Sequence, residues 1–349
     1  MARKFLWASL ALAPVTFVVD FVVHAGDVTL FALAATALVP LAWLIGEATE
    51  QAAEHTGPGI GGFLNASFGN APEVIIALFA VADHLPGVVR GSLAGSVVSN
   101  ALLVLGLAII LGPDESKLDR RSLVIQAGLV TFAVIAFLAP AVPGWHGNPE
   151  RHSLALVTIP VAVALLALYV ARTVIALRRQ SRLHAESGVE AAFGAWSLPT
   201  SLVALGLTTA ATAVIGEILV HSLKAFAEAA NLSEFFIAAV IVAIVGNAAE
   251  HGGALLIAHR RKMKLASEIA VSSSAQVALF VTPVIALLSW AVRPALPLTF
   301  RPIELATMGG AAVLVALVAL DARSRRWEGV MLVAAYAIVA YGFFAAGDR

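Results

Sequence analysis

Apolar runs long enough to cross a bilayer recur from one end of this 349-residue chain to the other. A helix needs about 20 apolar residues to span the hydrocarbon core. Turn and charge clusters divide the chain into eleven such segments, at 5–23, 28–54, 59–83, 86–111, 122–141, 152–177, 199–224, 233–259, 265–291, 302–322 and 328–345. Only 13% of the residues are charged, against about a quarter in soluble domains. A soluble surface cannot be assembled from so few charges, so the chain reads as an all-α integral membrane protein in contact with a lipid bilayer. Its formal net charge of zero gives no sign of a nucleic-acid partner. It has no cysteine, so disulfides and thiolate metal sites are excluded. The first run follows Arg3 and Lys4. It is longer than the apolar region of a signal peptide and no small-X-small cleavage site follows it, so it reads as a retained span.

Charge placement orients the spans. With the N-terminus in the cytoplasm, 16 Lys and Arg fall on inside connections and 6 outside, namely Arg90, Arg151, Lys224, Arg293, Arg301 and Arg349. That is the bias expected of membrane proteins. It fits a bacterial plasma membrane. The longest connection, 178–198, separates the halves. The organisation expected is an N-terminal helix (1–27), a first half (28–177), a cytoplasmic linker (178–198) and a second half (199–349).

The halves share a motif. Gly69-Asn70-Ala71-Pro72-Glu73 returns 177 positions later as Gly246-Asn247-Ala248-Ala249-Glu250, and Asn100 in the next span has a counterpart in Gln276. Each half has five spans. Five is odd, so the second copy enters the membrane from the opposite side. The fold expected is therefore one extra helix plus two inverted five-helix repeats. In secondary transporters built this way the substrate site lies at the midplane between repeats.

Glu73 and Glu250 lie near the middle of their spans, where a carboxylate costs about 2.5–3.5 kcal/mol and marks a functional site by default. Gly69 and Gly246 allow close backbone approach. Pro72 removes a backbone donor just before Glu73 and loosens the helix there. The second motif has Ala249 instead, so any break there needs another cause. Asn70, Asn247, Asn100 and Gln276 add amide groups. The ligand set is all oxygen, which suits hard cations such as Ca2+, Mg2+, Mn2+ or Na+. Two buried carboxylates sharing one site make protons and a divalent cation compete for it, and such competition is the basis of exchange. His251 has Val74 as its counterpart and is a candidate for gating or proton relay as well as for packing. Glu50, with Glu47 and Glu54 on one helix face, and Glu217 are candidates for a cation or proton path. Ser96, Ser272, Ser273 and Ser274 sit at similar depth, but serine in membrane helices more often serves packing.

The two Gly-Asn-Ala-X-Glu motifs, with the flanks Gly61–Phe68 and Ser273–Phe280, resemble the calcium/proton exchanger branch of the calcium/cation antiporter superfamily. The resemblance covers all but the first span. It implies Ca2+ removal from the cytosol driven by protons, with no cofactor, Glu73 and Glu250 alternating between Ca2+ and H+, and Asn100 and Gln276 flanking the site. Sodium/calcium exchangers more often carry G-T-S-x-P-E and G-T-S-x-P-D. Members of the branch often have an acidic segment between the halves, whereas here that segment holds only Glu186 and Glu190. Two other readings stand beside this one: an antiporter for K+, Na+ or Mn2+, and an intramembrane metal-dependent hydrolase. The latter lacks an H-E-x-x-H pair. A homo-oligomer is left open.

Overall fold

The computed structural model describes residues 2–187 and 196–348. Side chains at 2–4, 57–63, 65–66 and 176–187 are outside the described residues, and so are the linker charges Arg178, Arg179, Arg182, Glu186 and Glu190. Among the described residues the bundle is built from α1 Phe5–Val23, α2 Asp27–Phe68, α3 Ala71–Ala82, α4 Pro86–Leu111, α5 Arg120–Gly144, α6 His152–Ser187, α7 Leu198–Ala230, α8 Glu234–Gly246, α9 Ala248–His259, α10 Met263–Val292, α11 Pro302–Val318 and α12 Arg326–Ala346. Two short strands, β1 Ser116–Lys117 and β2 Arg323–Ser324, pair antiparallel.

Among the described residues eight helices are long and apolar enough to cross a membrane, or nine with α8 and α9 taken as one span bent by 60°. Two of the eleven expected segments depart from that form. The helix α2 runs through 55–58, where a break was expected, and ends instead at Gly69-Asn70. Gly and Pro bias the backbone toward a boundary without imposing one. The segment 59–83 is consequently divided between the end of α2 and the 12-residue α3. The other departure is α11, whose 17 residues give roughly 26 Å of helix.

The helices α2 and α7 form the longest contact, running antiparallel. At one end Trp196 N–H donates to Gln51 Oε1 at 2.9 Å. At the other Phe31 stacks on Phe226, with centroids 4.2 Å apart. The helices α4 and α10 hold the centre. Val88, Val89, Leu93, Ala94, Val97 and Val98 of α4 are all buried, which is what a helix surrounded by others requires. Both carry a π-type turn, at Ser99–Val104 and Val277–Val281. Such bulges concentrate at functional sites.

Each end of the bundle is tied by connections from both halves. At one end β1 pairs with β2, Leu118 N–H reaches Ala322 O at 2.9 Å, and Arg326 N–H reaches Asp114 Oδ1 at 2.9 Å. At the other the buried Arg90 donates to Pro297 O, Thr299 Oγ1 and Glu150 Oε1 at 3.3, 3.2 and 2.7 Å. There Trp145 Nε1–H also donates to Phe300 O at 2.8 Å. A buried cation survives by being hydrogen-bonded in this way.

Candidate functional site

The site begins with two matched breaks. Asn70 has φ −103° and ψ 12°, and Asn247 has φ −99° and ψ 10°. Both lie in the sparsely allowed bridge region that active-site residues often occupy. Each ends one helix and begins the next, so α3 and α9 start inside the bundle. Pro72 sits in the first turn of α3, where a missing N–H costs nothing. The break in the second half forms without a proline. In the first half the break lies just before Pro72 and Glu73, and in the second the same Asn conformation accompanies a break with no proline. Glu73 and Glu250 fall in the first turns of α3 and α9, where the helix dipole favours negative charge.

Glu73, from the first half, is bonded to the second. Asn247 Nδ2 lies 2.6 Å from Glu73 Oε1, 2.9 Å from Ser96 Oγ and 2.8 Å from Ala243 O, sharing two N–H groups among three acceptors. Asn100 Nδ2 donates to Ser96 O at 3.0 Å and approaches Asn247 Oδ1 at 3.4 Å. Asn100 is fully buried, and its Oδ1 has no hydrogen-bond partner. A buried acceptor left unmatched costs about 1–3 kcal/mol, so an incoming donor or cation would be favoured there. A Cβ added at Gly246 would stand 3.2 Å from Glu73 Cγ, so the glycine lets the carboxylate side chain pass close to the broken stretch of helix.

Glu250 is held differently. Its Oε2 accepts the Ser273 hydroxyl of α10, and it lies within electrostatic range of Glu73. The neighbouring Ser274 hydroxyl donates to Val97 O of α4 at 3.0 Å. Gln276 closes the α-helical part of α10, just before its π-type turn. His251 is buried on the next position of α9, and its Nε2 lacks a hydrogen-bond partner. Asn70 is buried at the break of the first half, preceded by Gly69 in the turn.

The structure brings Glu73, Asn247 and Asn100 into one network, with Ser96 as a member the residue-type argument had placed in packing. Ser273 is the second such case. A signal existed: Ser96 and Ser273 are 177 positions apart, the same offset as the two motifs. Glu50 and Glu217 are not brought together. Glu217 shares a cavity with Asp20, Asp27 and Leu30 near the start of α2. Glu50 is twenty residues further along α2, roughly 30 Å away, close to Glu47 and Glu54.

Residues 27–178 and 200–345 match the sodium/calcium exchanger protein family. The chain belongs to that family. It is 39% identical over 338 residues to the Ca2+/H+ antiporter ChaA of Bacillus subtilis (strain 168), covering 94% of this chain and 95% of that one. It is 34% identical over 345 residues to a Ca2+/H+ antiporter of Synechocystis sp., covering 91% of each. The solved structure of native YfkE superposes with a TM-score of 0.82 at 35% identity, covering 97% of this chain and 99% of that one. The H+/Ca2+ exchanger CAX shares the fold, with a TM-score of 0.74 at 16% identity, covering 99% of this chain and 91% of that one. The chain is thus an integral membrane transporter with a nearly all-helical exchanger fold.

Proposed function

We propose that this protein exchanges cytosolic Ca2+ for protons by alternating access, with Glu73 and Glu250 taking either Ca2+ or H+. The observation that carries the reading is the network joining Glu73 to Asn247 across the halves, beside the unmatched oxygen of Asn100. Carboxylate, amide and hydroxyl oxygens suit a hard cation. Asn247 occupies one Glu73 oxygen, and the Asn100 and Ser96 oxygens lie on the same network. A Ca2+ ion entering it displaces protons from the pair of carboxylates, and protons entering from the other side displace Ca2+. Support comes from relatives named as Ca2+/H+ antiporters at 34–39% identity over nearly the whole chain. These relatives are antiporters and not enzymes, which sets the hydrolase reading aside.

The same reading takes 28–177 and 199–349 as inverted repeats after an N-terminal helix (1–27). The matched breaks and π-type turns support it. It also places the N-terminus and the β1–β2 end in the cytoplasm of a bacterial plasma membrane, supported by the basic residues gathered there. Asn70 and Gln276 complete the oxygen set, and His251 serves gating or proton relay.

The test is uptake of radioactive Ca2+ into inside-out vesicles under an imposed pH gradient, with Na+ and K+ gradients in parallel. Uptake driven by the pH gradient alone is expected. Uptake that follows a Na+ or K+ gradient instead would assign a different coupling ion, and no uptake under any gradient would sink the calcium assignment.

A further inference from the structure

A cavity of about 250 Å3 lies between α5, α6 and α10. Its polar lining is Gln126 of α5, Tyr169, Arg172 and Thr173 of α6, and Ser272 and Gln276 of α10. These residues are spread over depth. Gln126 is less than two turns into α5, which begins just after β1, and Arg172 is near the end of the apolar part of α6 that returns to the same side. Ser272 and Gln276 are nine and thirteen residues into α10, roughly 14–20 Å from that end. Between them Ser273 holds Glu250, and Tyr169 is within electrostatic range of Glu250. The cavity therefore leads from the β1–β2 end toward Glu250; of the proposed oxygen set Gln276 lines it at its inner end, and Glu73, Asn247, Asn100 and Ser96 do not.

Gln126 is 4% exposed, and its Nε2 donates to Ser122 Oγ at 3.1 Å. Its Oε1 is buried with no hydrogen-bond partner. That oxygen is closed to a water-sized probe, so Gln126 meets the cavity through the rest of its side chain, at the edge of a space large enough for roughly eight waters at ~30 Å3 each. The Tyr169 and Thr173 hydroxyls, which hydrogen-bond each other, keep further donor and acceptor capacity for an ordered water. Arg172 places a fixed positive charge among the lining groups farthest from Glu250. Coulomb energy scales with the charge of the entering ion, so a divalent cation meets about twice the barrier met by a proton. Protons cross a water chain by exchange of O–H bonds between neighbours, with no ion of Ca2+ size having to enter.

We propose that this cavity is a hydrated proton route to Glu250 that meets the Ca2+ site only at Gln276, with Gln126 keeping its outer part polar. The proposal rests on the antiport reading. Two fluxes in proteoliposomes separate them: Ca2+/H+ exchange, and Ca2+/Ca2+ self-exchange, which moves no protons. Gln126→Leu makes that part of the lining apolar at similar volume. The expected result is a tenfold or greater fall in Ca2+/H+ exchange with self-exchange within twofold of wild type, and a smaller fall of the same kind for Tyr169→Phe. The self-exchange rate reports folding, and Tyr169→Phe decides the matter if Gln126→Leu does not fold. Parallel loss of both fluxes in a folded variant, or no change in either flux for both variants, would overturn the route. Wild type lacking both Ca2+ fluxes would overturn the antiport reading itself, and the route with it.

Discussion

Asn247 joins the two halves of the chain through a single side chain. Its amide touches Glu73 and Ser96 from the first half and Ala243 from its own, so Glu73 is positioned by the partner motif. Removing a buried, hydrogen-bonded charge costs several kcal/mol. Glu73→Gln is therefore expected to lower Ca2+/H+ exchange by about 100-fold or more, measured as initial uptake in vesicles with protein amount matched. Ser273→Ala deletes one donor to the Glu250 carboxylate. Hydrogen bonds to charged groups are worth about 1.5–3 kcal/mol, so the half-saturating Ca2+ concentration should change by roughly tenfold or more. An unchanged Ca2+ titration would show that Ser273 only packs. These serines illustrate what residue type alone conceals. A buried hydroxyl bonded to its own helix and one bonded to a site carboxylate look alike in sequence, and Ser272, bonded to Ile269 O, sits beside Ser273.

At the scale of elements, breaks and close crossings set the geometry. The break at Asn247 forms beside Ala249, so a break of this kind does not require a proline. Pro72→Ala is expected to retain exchange within about threefold of wild type, since the first helical turn uses no N–H of its own there; loss of activity with folding intact would restore a role for proline. The crossing of α4 and α8 is tighter than any side chain permits. A Cβ at Gly95 would lie 1.9 Å from Ala239 O, and backbone cannot yield as a flexible side chain does. Gly95→Ala should cost about 3 kcal/mol or more, seen as a large fall in the detergent melting temperature. At the α5 terminus Asp119 accepts the Ser122 N–H at 3.1 Å and pairs with Lys264 at 3.0 Å. These contacts, the Ser122 backbone bond first, hold its carboxyl below the usual range. Its stabilisation is present above the ordinary value of 3.8 and is lost as pH falls through the lowered one. Asp119→Ala should thus lower the melting temperature at neutral pH by the equivalent of about 1 kcal/mol, as for other helix caps, with the difference shrinking in acid.

For the whole molecule, the apolar runs and the duplicated motif made the helical membrane fold and the pairing of Glu73 with a second-half residue legible. Apolar periodicity depends only on which solvent each residue meets, and the bilayer makes that signal strong. Where a helix stops is a local contest among backbone bonds. That is why α2 passes through 55–58 and stops at Asn70, and why, among the described residues, eleven segments appear as eight or nine full-length crossings with shorter pieces between. The opposite placement of Glu50 and Glu217 follows from the antiparallel packing of α2 and α7, a fact of tertiary contact that no single stretch of sequence contains. On the proposed function, one site, built from Glu73 and the second half around Asn247, holds Ca2+ and protons in turn. The direct measurement is proton release when Ca2+ is added to the purified protein in weakly buffered solution. Ca2+ binding should release protons in wild type and release fewer in Glu73→Gln. Ca2+ that binds tightly to wild type with no proton released would overturn that function.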